Sequence, residues 1–129
     1  MCHDDRTPLH VASHVGHVDV VHVLLEHGAD ANAQGHWNWM PLHFASNGGH
    51  LKLVQLLLEH DATLNAQSIY GSSPVYLASG SGHLEVVRVL LRHGADVHTE
   101  VRYKTPYQGA TRAGHYDVAQ LLLEHGAKP

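Results

Sequence analysis

The chain has 129 residues, 43% hydrophobic and 16% charged, enough for one globular domain or one short repeat array and too apolar for a disordered chain. Eight basic against twelve acidic residues leave a net charge of -4 with no basic cluster, which argues against nucleic acid as a partner. The longest apolar runs, such as Val86 to Leu91 interrupted by Arg88, fall short of the roughly 20 residues that span a bilayer, so no membrane partner is expected.

No signal peptide is expected before the first polar residues. Cys2, the single cysteine, allows neither an internal disulfide nor a thiolate zinc site. The expected compartment is therefore a reducing one, the cytoplasm with the nucleus as the alternative.

Taken in chain order, the predicted elements recur. Thr7-Pro8-Leu9-His10, Met40-Pro41-Leu42-His43, Ser73-Pro74-Val75-Tyr76 and Thr105-Pro106-Tyr107-Gln108 share one register, with prolines 33, 33 and 32 residues apart. A hydroxyl residue before proline predicts a helix start, because the side-chain oxygen caps a free N–H and proline at the first helical position loses nothing. Gly16-His17, Gly49-His50, Gly82-His83 and Gly114-His115 follow at constant offset and end these short helices.

The next segment, Val18 to His27 in the first unit, places Val20, Val21, Leu24 and Leu25 at the spacing of one buried helical face. Gly28, Gly94 and Gly126 then stand where a left-handed C-terminal cap is wanted, with Asp61 as the exception. Polar stretches such as Asn32 to Asn38 read as turns or short hairpins. The expected units are 1–34, 35–67, 68–99 and 100–129, one continuous array.

A helix pair and a turn every 33 residues, marked T-P-L-H, G-H and G-A-D, resembles the ankyrin repeat over nearly the whole chain, from about Cys2 to Lys128. The resemblance implies an all-α solenoid of stacked antiparallel helix pairs with short projecting β-hairpin loops, which binds other proteins on its concave face. Met40 departs from the capping Thr and is expected to cost that helix start about 1 kcal/mol. The fourth unit lacks one residue between Asp96 and Pro106 and has no turn glycine there, so its hairpin and first helix are the weakest part of the pattern. Neither terminal unit carries a polar cap, as the last helix still reads Val118, Leu121, Leu122 and Leu123. The chain reads as a segment of a longer array or an engineered excerpt, and its apolar end faces favour weak end-to-end self-association.

Ten of the fifteen histidines fall on repeat markers, which points to scaffold rather than metal. The resemblance implies that the T-P-L-H histidine bonds backbone and hydroxyl groups and that the G-H histidine orders the interhelix turn. Units stacked about 10 Å apart would not bring equivalent histidines around one ion, so neither metal nor other cofactor is expected. Acid is expected to weaken the fold wherever such histidines are buried and neutral, since full protonation would move the charge from -4 to at most +11.

No catalytic residue is expected. The serines occupy turns and caps, Glu26, Glu59 and Glu124 recur at one exposed helical position, and the glycines punctuate helices instead of forming a phosphate loop. Information for a partner then lies at positions that differ between units, namely the loop tips and the exposed end of each first helix. The tips carry both tryptophans and two tyrosines, residue types that bury much area with few rotors.

The expected binding surface is His36, Trp37, Trp39, Asn47, Ile69, Tyr70, Ser81, Tyr103 and Arg112, a shallow trough between the second and third units with an aromatic rim. At least one of Trp37 and Trp39 is expected to touch the partner rather than the core. The function expected is a non-catalytic protein–protein interaction module. A structural spacer within a longer array and an engineered or selected binder are the alternatives. The resemblance also aligns Asn32 and Asn65 with the asparagine that oxygen-sensing hydroxylases modify in some ankyrin proteins, although a side-chain bond to the hairpin backbone is the simpler role.

Overall fold

A computed structural model describes residues 7–129, apart from the side chain of His36. Cys2, His3 and the rest of the first six residues lie outside the described part. The helices are α1 (Pro8–Val15), α2 (Val18–Glu26), α3 (Pro41–Gly48), α4 (Leu51–Glu59), α5 (Pro74–Ser81), α6 (Leu84–Arg92), α7 (Pro106–Arg112) and α8 (Tyr116–Glu124). A tight turn with left-handed backbone at Trp37 and Asn38 covers His36–Asn38.

The local chemistry of each unit explains its boundaries. Thr7, Ser73 and Thr105 hydroxyls accept the backbone N–H of His10, Tyr76 and Gln108, each at 3.3 Å, and proline follows at the first helical position. Met40 makes no such side-chain cap, which removes about 1 kcal/mol from the start of α3. Its own N–H is still taken up by His43 Nδ1 at 2.9 Å. In the fourth unit Gln108 Oε1 does the same for the N–H of Thr105 at 3.1 Å, so the departure from histidine preserves the helix start. Left-handed glycines close the first helices at Gly16, Gly49 and Gly82, whereas α7 ends on Ala113 one residue before Gly114. Asp61 takes the left-handed conformation (φ 64°) that Gly28, Gly94 and Gly126 take elsewhere.

The units stack in two layers. First helices pack on first helices, α1 on α3 on α5 on α7, and second helices pack on second helices in the same order. Ala12, Ala45, Ala78 and Ala110 lie at the buried contact of the first layer, where a short side chain lets neighbouring helices approach. Leu53, Val54, Leu57, Val87, Leu90 and Leu122 are fully buried and form the centre of one continuous core. Each such leucine contributes about 1.5–3 kcal/mol of burial.

Val20 departs from the expected buried face of α2. It is 47% exposed, although Leu53, Val86 and Val118 at the same register of later units are buried, because among the described residues only those later positions have a preceding unit packed over them. Val21 and Leu25 are buried as the spacing implied, and Leu24 is half-buried.

The projecting loops are tight turns rather than stranded hairpins. Gly35 N–H donates to Trp39 O and Ser68 N–H to Ser72 O, both at 2.9 Å, which encloses three residues in each tip. The fourth tip is closed by the one β-bridge among the described residues, Val101 with Lys104, and encloses only Arg102 and Tyr103. Both of these residues have positive φ, 52° and 69°, as a two-residue turn without glycine requires. The missing residue between Asp96 and Pro106 has therefore been taken from the tip.

The marker histidines hold this scaffold. His10 Nε2 donates to Ala33 O at 2.7 Å while its Nδ1 accepts the N–H of Thr7. His50 and His83 Nε2 donate to the carbonyls of His14 and Asn47 in the preceding unit, at 3.3 and 3.0 Å. His27, His93 and His125 donate from Nδ1 to carbonyls one turn back, which satisfies acceptors that a helix C-terminus leaves open. Among the described residues there is no group of three or more His, Cys, Asp or Glu side chains that could hold a metal ion.

Candidate protein-binding surface

The tips are positioned by the turn bonds at their bases and by one another. Trp37 O accepts the N–H of Ile69 at 2.8 Å, which ties the second tip to the third. The rings of Trp37 and Tyr70 then meet edge to face at 6.4 Å, and the guanidinium of Arg102 lies 6.0 Å from the Tyr70 ring centroid. Trp37 and Tyr70 remain 52% and 55% exposed. A tryptophan, a tyrosine and an arginine from three successive units thus form one ladder on the rim, with Ile69 exposed beside it. Trp37 and Asn38 are both held at φ 60°, a conformation that costs a non-glycine residue about 1 kcal/mol or more and that the turn imposes.

Trp39 has a different place. It is half-buried, stacked on His43 at 5.7 Å and tilted against Phe44 at 4.9 Å. The edge of Phe44 also meets His14 and His10 of α1 at 5.6 and 6.0 Å. This aromatic floor lies between the first and second units, one unit earlier than the trough that sequence spacing suggested. Further along the first-helix layer, Ser81 Oγ donates to Asn47 Oδ1 at 3.2 Å, so these two exposed residues bridge the ends of α3 and α5. Gly80 beside them faces open space.

Tyr103 is 91% exposed, and Arg112 is exposed at the end of α7. The residue in contact with Tyr70 is Arg102, because the shortened fourth tip turns one residue earlier than the other two. Arg102, Phe44 and His14 thus join the surface although the expected set did not include them. The deletion in the fourth unit was the available signal for Arg102, and the sole phenylalanine of the chain, unique to the second unit, was the signal for Phe44. The side chain of His36, expected on this surface, lies outside the described part.

Charge on the rim is mixed, with Glu100 and Arg102 exposed and Lys104 half-buried. The ion pair between Arg88 and Glu85, at 3.4 Å, lies on α6 in the second-helix layer. Asn32 and Asn65 fasten neighbouring turns. Asn32 accepts the N–H of Thr63 at 2.7 Å and donates to Asp61 O at 3.1 Å, and Asn65 accepts the N–H of Asp96 at 2.9 Å.

Comparison with known proteins agrees with this architecture. A stretch of 35 residues, 27% of the chain, is 66% identical to the serine/threonine-protein kinase VIK of Arabidopsis thaliana, and it covers 8% of that protein's length. The family profile described as ankyrin repeats in three copies matches residues 9–101 and again 66–129. Ankyrin arrays generally mediate contacts between proteins and are typically non-catalytic. With eight helices in register, turn-linked tips and a profile match across most of its length, the chain belongs to the ankyrin-repeat family.

Proposed function

We propose that this chain is a non-catalytic binding module whose partner protein docks on the rim formed by Trp37, Tyr70 and Arg102 and on the adjoining first-helix layer. The observation that carries the reading is the ladder itself. Trp, Tyr and Arg are the residue types that dominate interface energetics, and here they touch one another across three units while two of them stay half exposed. The half-buried Trp39 and the exposed Asn47, Ser81 and Arg112 supply a more polar continuation. A partner segment that lays an apolar side chain on Trp37 and Tyr70 and offers a carboxylate to Arg102 or Arg112 fits this chemistry.

The kinase activity in the name of the Arabidopsis protein belongs to that protein, of which the match covers 8%. A cytoplasmic or nuclear setting goes with a chain whose single cysteine leaves no internal disulfide to form. The reading is tested by affinity capture from an extract of the native cells, with the parent chain beside a Trp37→Ala, Tyr70→Ala double variant. Because both side chains are about half exposed, the variant keeps the parent's melting temperature. A protein recovered by the parent and lost by the variant supports the rim. Equal recovery by both chains contradicts it and favours a spacer role.

A further inference from the structure

Every internal interface of the array repeats one contact. The rings of His50, His83 and His115 lie on Gly16, Gly49 and Gly82 of the preceding unit, so close that a Cβ on these glycines would fall 2.5 to 2.6 Å from a ring atom. The two ends hold the unmatched halves of this contact. His17, the first unit's member of the set, is exposed, and Gly114, the last unit's member, has no atom within 4 Å of its Cβ position.

The apolar surface follows the same pattern. Val20 and Val23 are 47% and 54% exposed, whereas Val86 and Val89 at the same register of the third unit are 2% and 7% exposed. With Val11 and Val15 they leave an apolar face on the first unit, and Val11, Val15 and Val20 line a depression of about 610 Å³ there. At the other end Thr111 is half-buried although Ser13, Ser46 and Ser79 at its register are fully buried, because among the described residues no further first helix packs over α7 as α3, α5 and α7 pack over the others.

We propose that the occupant of this face is a second copy of the chain. The first unit of one copy docks on the fourth unit of the next in the register of the internal interfaces, α1 against α7 and α2 against α8, with His17 seated on Gly114. Each end supplies what the other lacks, and the pairing continues an interface that the chain already makes three times. Such a contact is heterologous and does not close on itself, so assembly grows by addition of copies rather than stopping at two.

The test is mass in solution, by light scattering or sedimentation, from micromolar chain up to about 1 mM, the range of a weak contact. For the parent the average mass rises with concentration above the 14.1 kDa of one chain and does not level off at two chains. Val20→Glu blocks the first unit and Thr111→Arg the fourth, and each alone stays at the mass of one chain. Their equimolar mixture forms a dimer that cannot grow, because the open fourth unit of the first variant pairs with the open first unit of the second and the two ends left over are the blocked ones. Val20 is half exposed, so its variant keeps the parent's fold, and Tyr116→Glu, at a position 70% exposed on α8, replaces Thr111→Arg should that variant melt early. A parent that remains a single chain throughout, or a Val20→Glu variant that assembles like the parent, overturns the proposal and leaves the face to some other covering such as a preceding repeat. A parent that stops at two copies overturns the head-to-tail register in favour of like ends meeting.

Discussion

His43 spans two units of the array. Its Nδ1 accepts the N–H of Met40 at 2.9 Å, while its Nε2–H is shared between the carbonyls of Ala66 and Ser72 at 3.1 and 3.0 Å. The ring is fully buried, and burial holds its pKa below the ordinary 6.5 against the opposing pull of the two carbonyl bonds. A proton on Nδ1 would meet the N–H of Met40 head on, so the folded chain keeps the neutral tautomer.

This predicts a pH dependence with a definite sign. As pH falls below 6.5 the unfolded chain takes up a proton at this position that the folded chain refuses, and stability declines until the lowered folded pKa is reached. Above 6.5 both states are neutral here and the effect vanishes. The melting temperature at pH 5 therefore lies below that at pH 7.5, and His43→Gln narrows the gap, since Gln108 shows that an amide can accept the same backbone N–H. A melting temperature that is unchanged between the two pH values contradicts the account.

Ser46 carries a second prediction. Its hydroxyl is fully buried in α3 and, like those of Ser13 and Ser79, has no hydrogen-bond partner. Leaving a buried hydroxyl unpaired costs about 1–3 kcal/mol, and alanine fits the same space with better helix propensity. Ser46→Ala is expected to raise stability in denaturant titration by about 1 kcal/mol. A loss of stability would mean that the hydroxyl is bonded after all.

Asp61 offers a backbone test. It is the one helix-capping position in the series where a side chain occupies the left-handed region, at φ 64° against 89°, 93° and 97° for Gly28, Gly94 and Gly126. The Cβ clash in this region costs roughly 1 kcal/mol, partly offset by the greater freedom of glycine in the unfolded chain. Asp61→Gly is thus expected to gain about 0.5 kcal/mol, and the bond from Asn32 to the Asp61 carbonyl survives because it uses the backbone. Destabilisation on that exchange would show that the Asp61 carboxylate contributes a contact of its own.

Asn32 is expected to act as a clip between units. Asn32→Ala removes two bonds, to Thr63 N–H and Asp61 O, both at an exposed site where water replaces them. The expected loss is about 1 kcal/mol, measured by chemical denaturation, with the shape of the transition unchanged. No loss would indicate that the clip is incidental.

Most of the scaffold is legible in the sequence. The proline register fixed where the first helices begin, and the glycine and histidine registers fixed where they end, because each marker satisfies a local backbone requirement. The surface was less legible for two physical reasons. Trp37 and Trp39 are two residues apart in sequence, and only the turn geometry sends one to the rim and the other onto Phe44. Register alone aligns Tyr103 with Tyr70, whereas the shortened fourth tip brings Arg102 to that ring. The exposure of Val20 was hidden for a third reason, since a periodic face says which residues can be buried and not whether a neighbour is there to bury them.

The central claim is that the rim of Trp37, Tyr70 and Arg102 carries the binding energy. The most direct measurement is a calorimetric titration of the captured partner into the parent, the Trp37→Ala variant and an Arg88→Ala control on the second-helix layer. Loss of a hot-spot aromatic costs at least about 1.4 kcal/mol, so the account predicts a Kd raised tenfold or more for Trp37→Ala and unchanged for Arg88→Ala. Equal affinity of Trp37→Ala and the parent, with both folded, would contradict it.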